Sequence, residues 1–161
     1  MLLLARLGLR AGELIRLRID DIDWVRGSVL VRAGKTHRER SLPLSQEVGD
    51  ALALYLRQSR PESTHRELFL RWRPPFRPLC KSVSICTLVQ KLLKRAEISV
   101  HRPGAHVLRH TLATEMAIKG APFKAIADVL GHGSLATTEI YAKLDLDSLS
   151  QVAMPWPGGA K

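Results

Sequence analysis

The sequence predicts an α+β fold that is mainly helical, with a small three-stranded antiparallel sheet at one edge. Three short runs, 22–24, 28–32 and 40–44, alternate apolar and polar residues and are separated by the turn residues Arg26-Gly27 and 34–37, which is typical of a meander. Most of the remaining chain repeats its apolar residues at helical spacing. The length of 161 residues suits one domain around one core.

The predicted helices follow in order from this periodicity and from the residues that end it. Glycines favour helix ends, and Gly8, Gly120 and Gly131 each follow an apolar helical pattern. Residues 58–80, rich in proline and arginine, are expected to form an irregular surface loop. The expected helices cover residues 1–7, 11–17, 46–57, 82–96, 105–119, 122–130, 134–141 and 145–152.

The composition favours a polyanionic partner. Lysine and arginine number 25 against 15 acidic residues, which gives a net charge of +10 and a pI near 10.3. Such an excess suits DNA, because each neutralised phosphate releases a counterion; a basic surface without such a partner is the alternative that composition leaves open. Only Cys80 and Cys86 occur, which indicates reduced thiols and excludes a disulfide framework.

No membrane or secretion signal is evident in the sequence. Its apolar runs fall well short of the roughly 20 residues of a membrane helix, and the opening segment lacks the cleavage pattern of a signal peptide. We therefore expect a cytoplasmic protein with no membrane partner.

Two stretches in the second half of the sequence contain candidate catalytic residues. His106 and Arg109 are three residues apart, so both point to one face of a helix, where an imidazole beside a guanidinium suits a phosphate. His132 follows Leu-Gly in a turn, and Tyr141 lies nine residues later. Taken singly, each feature has a plain alternative. The His106–Arg109 pair could be two ordinary surface residues, His132 a turn histidine and Tyr141 a partly buried tyrosine.

Two stretches in the first half add to them. Arg10 directly precedes a predicted helix, where free backbone N–H groups favour anions, and Glu13 lies in the first turn of that helix. Lys35 lies at the tip of a basic hairpin. Each feature has a plain alternative, namely a helix-capping acid and a solvated charged turn.

In combination, these stretches resemble the tyrosine recombinases, which include phage integrases, Xer-type resolvases and transposon relatives. The matching segments are GLRAGELIRLRIDDID, GKTHRERSLPL, HVLRHTLATEMAIKGAPFKAIADVLGH and TTEIYAK, in the family's order and spacing. The resemblance implies the fold of DNA breaking-rejoining enzymes and supporting roles for Glu13 and His110. It also implies a catalytic set: Arg10, Lys35, His106, Arg109, His132 and Tyr141.

The resemblance implies a transesterification at a DNA phosphodiester. Tyr141 would attack the phosphorus, giving a 3′-phosphotyrosyl bond and a free 5′-hydroxyl, followed by strand exchange and religation. Lys35 is the expected general acid, and His106 the proton partner on the tyrosine side. We expect no cofactor and no metal, because arginines would supply the charge and no acidic cluster suits a divalent cation.

The resemblance also sets the expected organisation and partners. Residues 1–161 would form the catalytic domain, with residues 145–161 as a tail and without the separate DNA-clamping domain that usually precedes it. Double-stranded DNA would be the partner, with a homotetramer on synapsed DNA and a monomer when free. The alternatives are a truncated integrase that binds DNA without recombining it and a type IB topoisomerase, which the Leu-Gly-His block disfavours.

Overall fold

The computed structural model describes residues 1–34 and 39–131. Within those ranges the chain is mainly helical and carries one three-stranded sheet, which confirms the predicted fold class. The elements are α1 (Leu2–Leu7), α2 (Ala11–Arg16), β1 (Ile22–Asp23), β2 (Ser28–Val31), β3 (Arg40–Pro43), α3 (Gln46–Leu54), α4 (Ser82–Arg95), α5 (Ala105–Ile118) and α6 (Phe123–Leu130). The helices expected over 134–141 and 145–152 lie outside the described residues.

The sheet is antiparallel in the order β1-β2-β3. Val29 in the central strand pairs with Ile22 on one side and with Leu42 on the other. All three are buried, whereas Ser41 and Pro43, the neighbours of Leu42 in β3, are exposed. The period-2 pattern therefore places one face of the sheet on the core, as alternation predicts.

Two apolar clusters hold the described residues together. The larger one joins α1, α2 and α4 to the buried face of the sheet, with Leu4, Leu9 and Val89 at most 1% exposed. The smaller one lies between α5 and α6 and consists of Ala113, Ala117, Ile126 and Leu130. The alanines of α5 allow α6 to approach closely, and this packing sets where the end of α6 lies.

The segment predicted as a surface loop is irregular, but part of it crosses the core. Leu68 is completely buried and Leu70 is 8% exposed, so this part of the prediction is wrong. Buried loop backbone needs hydrogen-bond partners, and other parts of the chain supply them. Leu68 N donates to the Leu17 carbonyl at 2.7 Å, while its own carbonyl accepts from the Tyr55 hydroxyl at 3.2 Å and from Arg60 Nε at 3.3 Å.

None of the helices in the two described ranges combines the length and the apolar character needed to span a membrane. Cys80 is exposed, Cys86 is partly buried, and both are free thiols.

Leu68→Ala should test the role of the irregular segment. The side chain is fully buried, so its truncation should lower the free energy of unfolding by about 2–5 kcal/mol. Leu54→Ala is the matched control, because Leu54 is 55% exposed on α3 and its truncation should cost only about 0.5 kcal/mol. Urea unfolding measures both; equal losses would show that the segment does not contribute to the core.

Candidate active site

Two arginines from different elements meet at the carboxyl end of α6. Arg109, in α5, donates from Nη2 to the Leu130 carbonyl at 2.6 Å, and Arg10, before α2, donates from Nη1 to the same oxygen at 3.4 Å. Arg10 also donates from Nη1 and Nη2 to the Gly131 carbonyl, each at 3.3 Å. The last carbonyls of a helix lack helical partners and carry its negative end, so guanidiniums stabilise this end.

Arg109 is buried and is held on both sides. It is 8% exposed, and its Nη1 donates to the Gly8 carbonyl at 2.7 Å. Gly8 has a φ of +60°, and a Cβ there would lie 2.7 Å from the Leu130 side chain. Glycine is therefore needed at this turn for its left-handed backbone and for close packing, and the turn links α1 to the end of α6.

Glu13 joins Arg10 to a third arginine, Arg40. Its side chain is 3% exposed, and its carboxylate accepts from Arg10 Nη1 at 3.1 Å and from Arg40 Nη1 and Nη2 at 3.1 and 3.0 Å. It also accepts from the Arg10 backbone N–H at 2.8 Å, which caps α2. Arg40 Nε in turn donates to the Val129 carbonyl at 2.9 Å, one residue before Leu130.

The ionisation of Glu13 follows from this arrangement. Burial alone would raise the pKa of its carboxyl, but the hydrogen bond from Arg40, the hydrogen bond from the Arg10 backbone and the charges of both arginines outweigh burial and lower it. Glu13 is therefore a carboxylate at neutral pH. Three guanidiniums against one carboxylate leave a local excess of positive charge at the end of α6.

His106 and Arg109 lie three residues apart on α5 but differ in exposure, because Arg109 is buried and His106 is not. The ring of His106 meets that of His110 edge to face, with centroids 6.3 Å apart. Both histidines line a cavity of about 660 Å³ with Val107 and Thr111, and the residues described around it do not include Arg10 or Arg109. Burial lowers the pKa of His110, and the charges of His106 and Arg109 lower it further, which favours the neutral imidazole.

The structure thus brings together Arg10 and Arg109, two of the three expected catalytic residues within the described ranges. The third, His106, is exposed on α5, three residues before Arg109. Lys35, His132 and Tyr141 lie outside the described residues, although Gly131 of the arginine site directly precedes His132 in the sequence. The described residues contain no cluster of three or more acidic, histidine or cysteine side chains that could hold a metal ion.

Arg40 is the member of this site that sequence reasoning missed. The sequence does carry a signal for it, because Arg40 and Leu42 are two residues apart in β3 and so point to the same face. Leu42 faces the core, and the Arg40 side chain beside it is 9% exposed. A buried arginine requires an acidic partner, and Glu13 provides it.

A family model described as the phage integrase family matches residues 1–147. The chain belongs to the phage integrase family. This agrees with the predicted resemblance and covers most of the sequence. Among curated members of the family, "Putative integrase/recombinase y4rA" of Sinorhizobium fredii is 47% identical over all of this chain. Tyrosine recombinase XerA of Thermococcus kodakarensis is 33% identical over 92% of it.

The chain spans 39% of the length of the first relative and 51% of the second. Solved structures agree with the integrase family. The crystal structure of XerA recombinase has a TM-score of 0.78 and 32% identity, and the match covers 96% of this chain and 57% of that one. XerH recombinase bound to a palindromic difH substrate has a TM-score of 0.76 and 25% identity, over 96% of this chain and 45% of that one.

Glu13→Gln should destabilise this integrase-family chain and change its response to acid. At neutral pH the free energy of unfolding should fall by about 3 kcal/mol, because two guanidiniums lose a buried carboxylate. Folding lowers the pKa of Glu13 from 4.5, so its contribution is complete above that pH and is lost as the pH falls through the folded-state pKa. The difference between wild type and variant should therefore shrink below the ordinary pKa.

The matched control is Glu47→Gln, which removes the same charge from an exposed pair. Glu47 accepts from Arg6 Nε at 3.0 Å, with both side chains about half exposed, and such pairs contribute at most about 1 kcal/mol. Urea unfolding at neutral and acid pH compares the variants. If Glu13→Gln behaves like Glu47→Gln, the carboxylate does not hold the arginines in place.

Proposed function

We propose that this chain is the catalytic domain of a site-specific tyrosine recombinase that cleaves and rejoins DNA through a 3′-phosphotyrosyl intermediate. The observation that carries the proposal is that Arg10 and Arg109, from separate elements, converge on one carbonyl at the end of α6, directly before His132 in the sequence. Membership of the integrase family and the likeness to XerA recombinase support it.

The charge of the arginine site suits a phosphodiester. Arg10, Arg40 and Arg109 against Glu13 give a formal local charge of +2, and the Arg10 side chain is 27% exposed, so a phosphate oxygen can reach it from solvent. Arg109 is buried, so it would contribute positive charge to the site with little exposure to solvent. Positive groups held in place before the reaction stabilise the extra charge of a phosphorane-like transition state, the role that a divalent metal has in other phosphoryl-transfer enzymes.

Tyr141 is the proposed nucleophile. A free tyrosine has a pKa of about 10, so forming its phenolate at neutral pH costs about 4 kcal/mol, which the arginines and His132 would offset. Tyr55 is the other tyrosine of the chain, and its surroundings argue against it. Its hydroxyl donates to the Leu68 carbonyl, and burial raises its pKa, so its phenolate is disfavoured.

Proton transfers complete the proposed reaction. The leaving 5′-oxygen needs a proton, and Lys35 is the proposed donor. His106 is the proposed proton partner of Tyr141, and its exposed position on α5 leaves it accessible to other groups. His110, whose pKa is lowered, is suited to a neutral supporting role. The phosphotyrosyl bond retains the energy of the phosphodiester, so strand exchange and religation need no nucleotide cofactor.

Tyr141→Phe should abolish formation of a covalent protein–DNA adduct on a nicked suicide substrate and leave DNA affinity nearly unchanged, because one hydroxyl is removed. Tyr55→Phe is the matched control and should still form the adduct. Denaturing gel electrophoresis detects the adduct and fluorescence anisotropy measures affinity. An adduct with Tyr141→Phe that disappears with Tyr55→Phe would assign the wrong nucleophile, and no adduct with the wild type would refute the proposed activity of this chain.

We further propose that the domain acts as a tetramer on two synapsed DNA duplexes and that residues 145–161 couple its subunits. Leu146, Leu149 and Val152 recur at roughly helical spacing in this segment, and an apolar stripe favours packing against a partner. Deletion of residues 145–161 should impair assembly on DNA more than cleavage of a single site. Native gels and the adduct assay separate these effects, and unchanged assembly would exclude this segment as the coupling element.

A further inference from the structure

Residues 70–78 form a hairpin whose tip is both basic and aromatic. Leu70 and Pro78 pair in an antiparallel bridge, and the seven residues between them read Arg-Trp-Arg-Pro-Pro-Phe-Arg, with three arginines, two aromatic residues and no acid. We call residues 70–78 the arginine–tryptophan hairpin. Nothing in the proposed reaction uses this segment, so its composition calls for a separate explanation.

The tip presents its side chains to solvent. Trp72 is 76% exposed and Phe76 is 36% exposed, and every residue from 71 to 77 is exposed. Tryptophan has a large flat apolar surface that usually finds a partner in folded proteins. A tryptophan held in water between arginines therefore indicates a contact surface for a ligand with both charged and flat apolar parts.

Backbone hydrogen bonds and two prolines hold the tip of the hairpin in one conformation. The Arg71 N–H donates to the Arg77 carbonyl at 2.9 Å, and the Arg77 N–H donates to the Pro75 carbonyl at 2.8 Å. The rings of Pro74 and Pro75 restrict the backbone, and the stem is anchored by Leu70, which is 8% exposed. An ordered tip loses little conformational entropy when it binds.

The arginines at the tip are available to an anion. In the part of the chain that the structure describes, neither Arg73 nor Arg77 forms a salt bridge or a side-chain hydrogen bond, and Arg71 contacts the sulfur of Cys80 at 3.7 Å. Exposed guanidiniums without a carboxylate can bind phosphate oxygens in pairs. Three arginines in seven residues suit a ligand that carries several phosphates.

The stem of the hairpin connects this tip to the arginine site. Pro78 and Cys80 line a cavity of about 520 Å³ that Arg16 and Glu13 also line. Arg16 is exposed, and its Nη2 lies 3.4 Å from the position that a Cβ would take at Gly34. The stem of the hairpin and Glu13 of the arginine site therefore border one cavity, whose lining contains Arg16, Arg18 and Arg32 as well as Asp21 and Glu67.

We propose that the arginine–tryptophan hairpin is a second DNA contact of this chain, separate from the cleavage site. Arg73 and Arg77 bind backbone phosphates, and Trp72 packs its ring against a sugar or a base edge, the apolar surfaces that a duplex exposes in its grooves. DNA explains the arginines and the tryptophan together, and it is the substrate in the proposed function on which this inference rests. The contact increases affinity for the DNA beside the scissile phosphate and takes no part in the chemistry.

The test measures equilibrium binding of the full chain to a fluorescein-labelled duplex at several salt concentrations. The double variant Arg73→Ala, Arg77→Ala should weaken binding by about tenfold at low salt and reduce the salt slope by about two, one unit for each phosphate that an arginine no longer neutralises. Trp72→Ala should weaken binding by about fivefold to tenfold, the loss expected for one buried aromatic contact, with an unchanged salt slope, because an apolar contact neutralises no phosphate.

Matched controls come from the turn before β2. This turn lies at the start of the strand, whereas Gly34 follows its end. Trp24 in this turn is 47% exposed, and Arg26 makes only a loose ion pair with Asp23 at 3.8 Å. A second exposed arginine for the control, Arg57, follows α3. Trp24→Ala, and the double variant Arg26→Ala, Arg57→Ala, remove the same groups and should leave affinity within about twofold of the wild type. Thermal unfolding confirms that all variants fold.

The outcomes separate this inference from the proposed function. If the hairpin variants bind DNA as the controls do, the hairpin is not a DNA contact, even when the wild type still forms the covalent adduct. If binding weakens in the hairpin variants alone, and adduct formation recovers at saturating protein, the hairpin contributes affinity and not chemistry. If the wild type binds DNA but forms no adduct, the proposed reaction fails while the hairpin result stands.

Discussion

The buried carboxylate of Glu13 is the interaction on which the arginine site depends. It holds Arg10 and Arg40 together at distances of 3.0–3.1 Å, where two guanidiniums alone would repel each other in surroundings that screen charge poorly. Because the same carboxylate accepts the Arg10 backbone N–H, it also places the start of α2. One side chain therefore couples the capping of a helix to the placement of two cations.

The end of α6 is the second constraint, and it explains why the arginines converge there. Its free carbonyls supply acceptors, and Arg109, Arg10 and Arg40 together bind those of residues 129–131. The position of the helix end is in turn set by the packing of Ala113 and Ala117 of α5 against α6 and by Gly8, where a larger residue would meet Leu130. Packing away from the site thus determines the geometry of its charges.

The arginine site and the arginine–tryptophan hairpin differ in how their arginines are held, and this difference suits different tasks. At the site, each guanidinium is fixed by carbonyls or by Glu13, as electrostatic stabilisation of a transition state requires. At the hairpin, Arg73 and Arg77 extend into solvent from an ordered backbone. Such groups can adjust to a flexible duplex and add affinity without demanding one exact phosphate position.

The sequence by itself determined the elements and the family. Helical periodicity, the glycines after helices and the alternating runs depend on local chemistry, so nearly every predicted element of the described ranges was found, and the motif order indicated the integrase family that the family match confirms. Arg10 and Arg109 were also identifiable as site residues. Only the tertiary structure decided that Leu68 is buried, that His106 is exposed and that Arg40 belongs to the site. These properties depend on contacts between residues far apart in the chain, and a local pattern does not specify which distant carboxylate or carbonyl a side chain will meet.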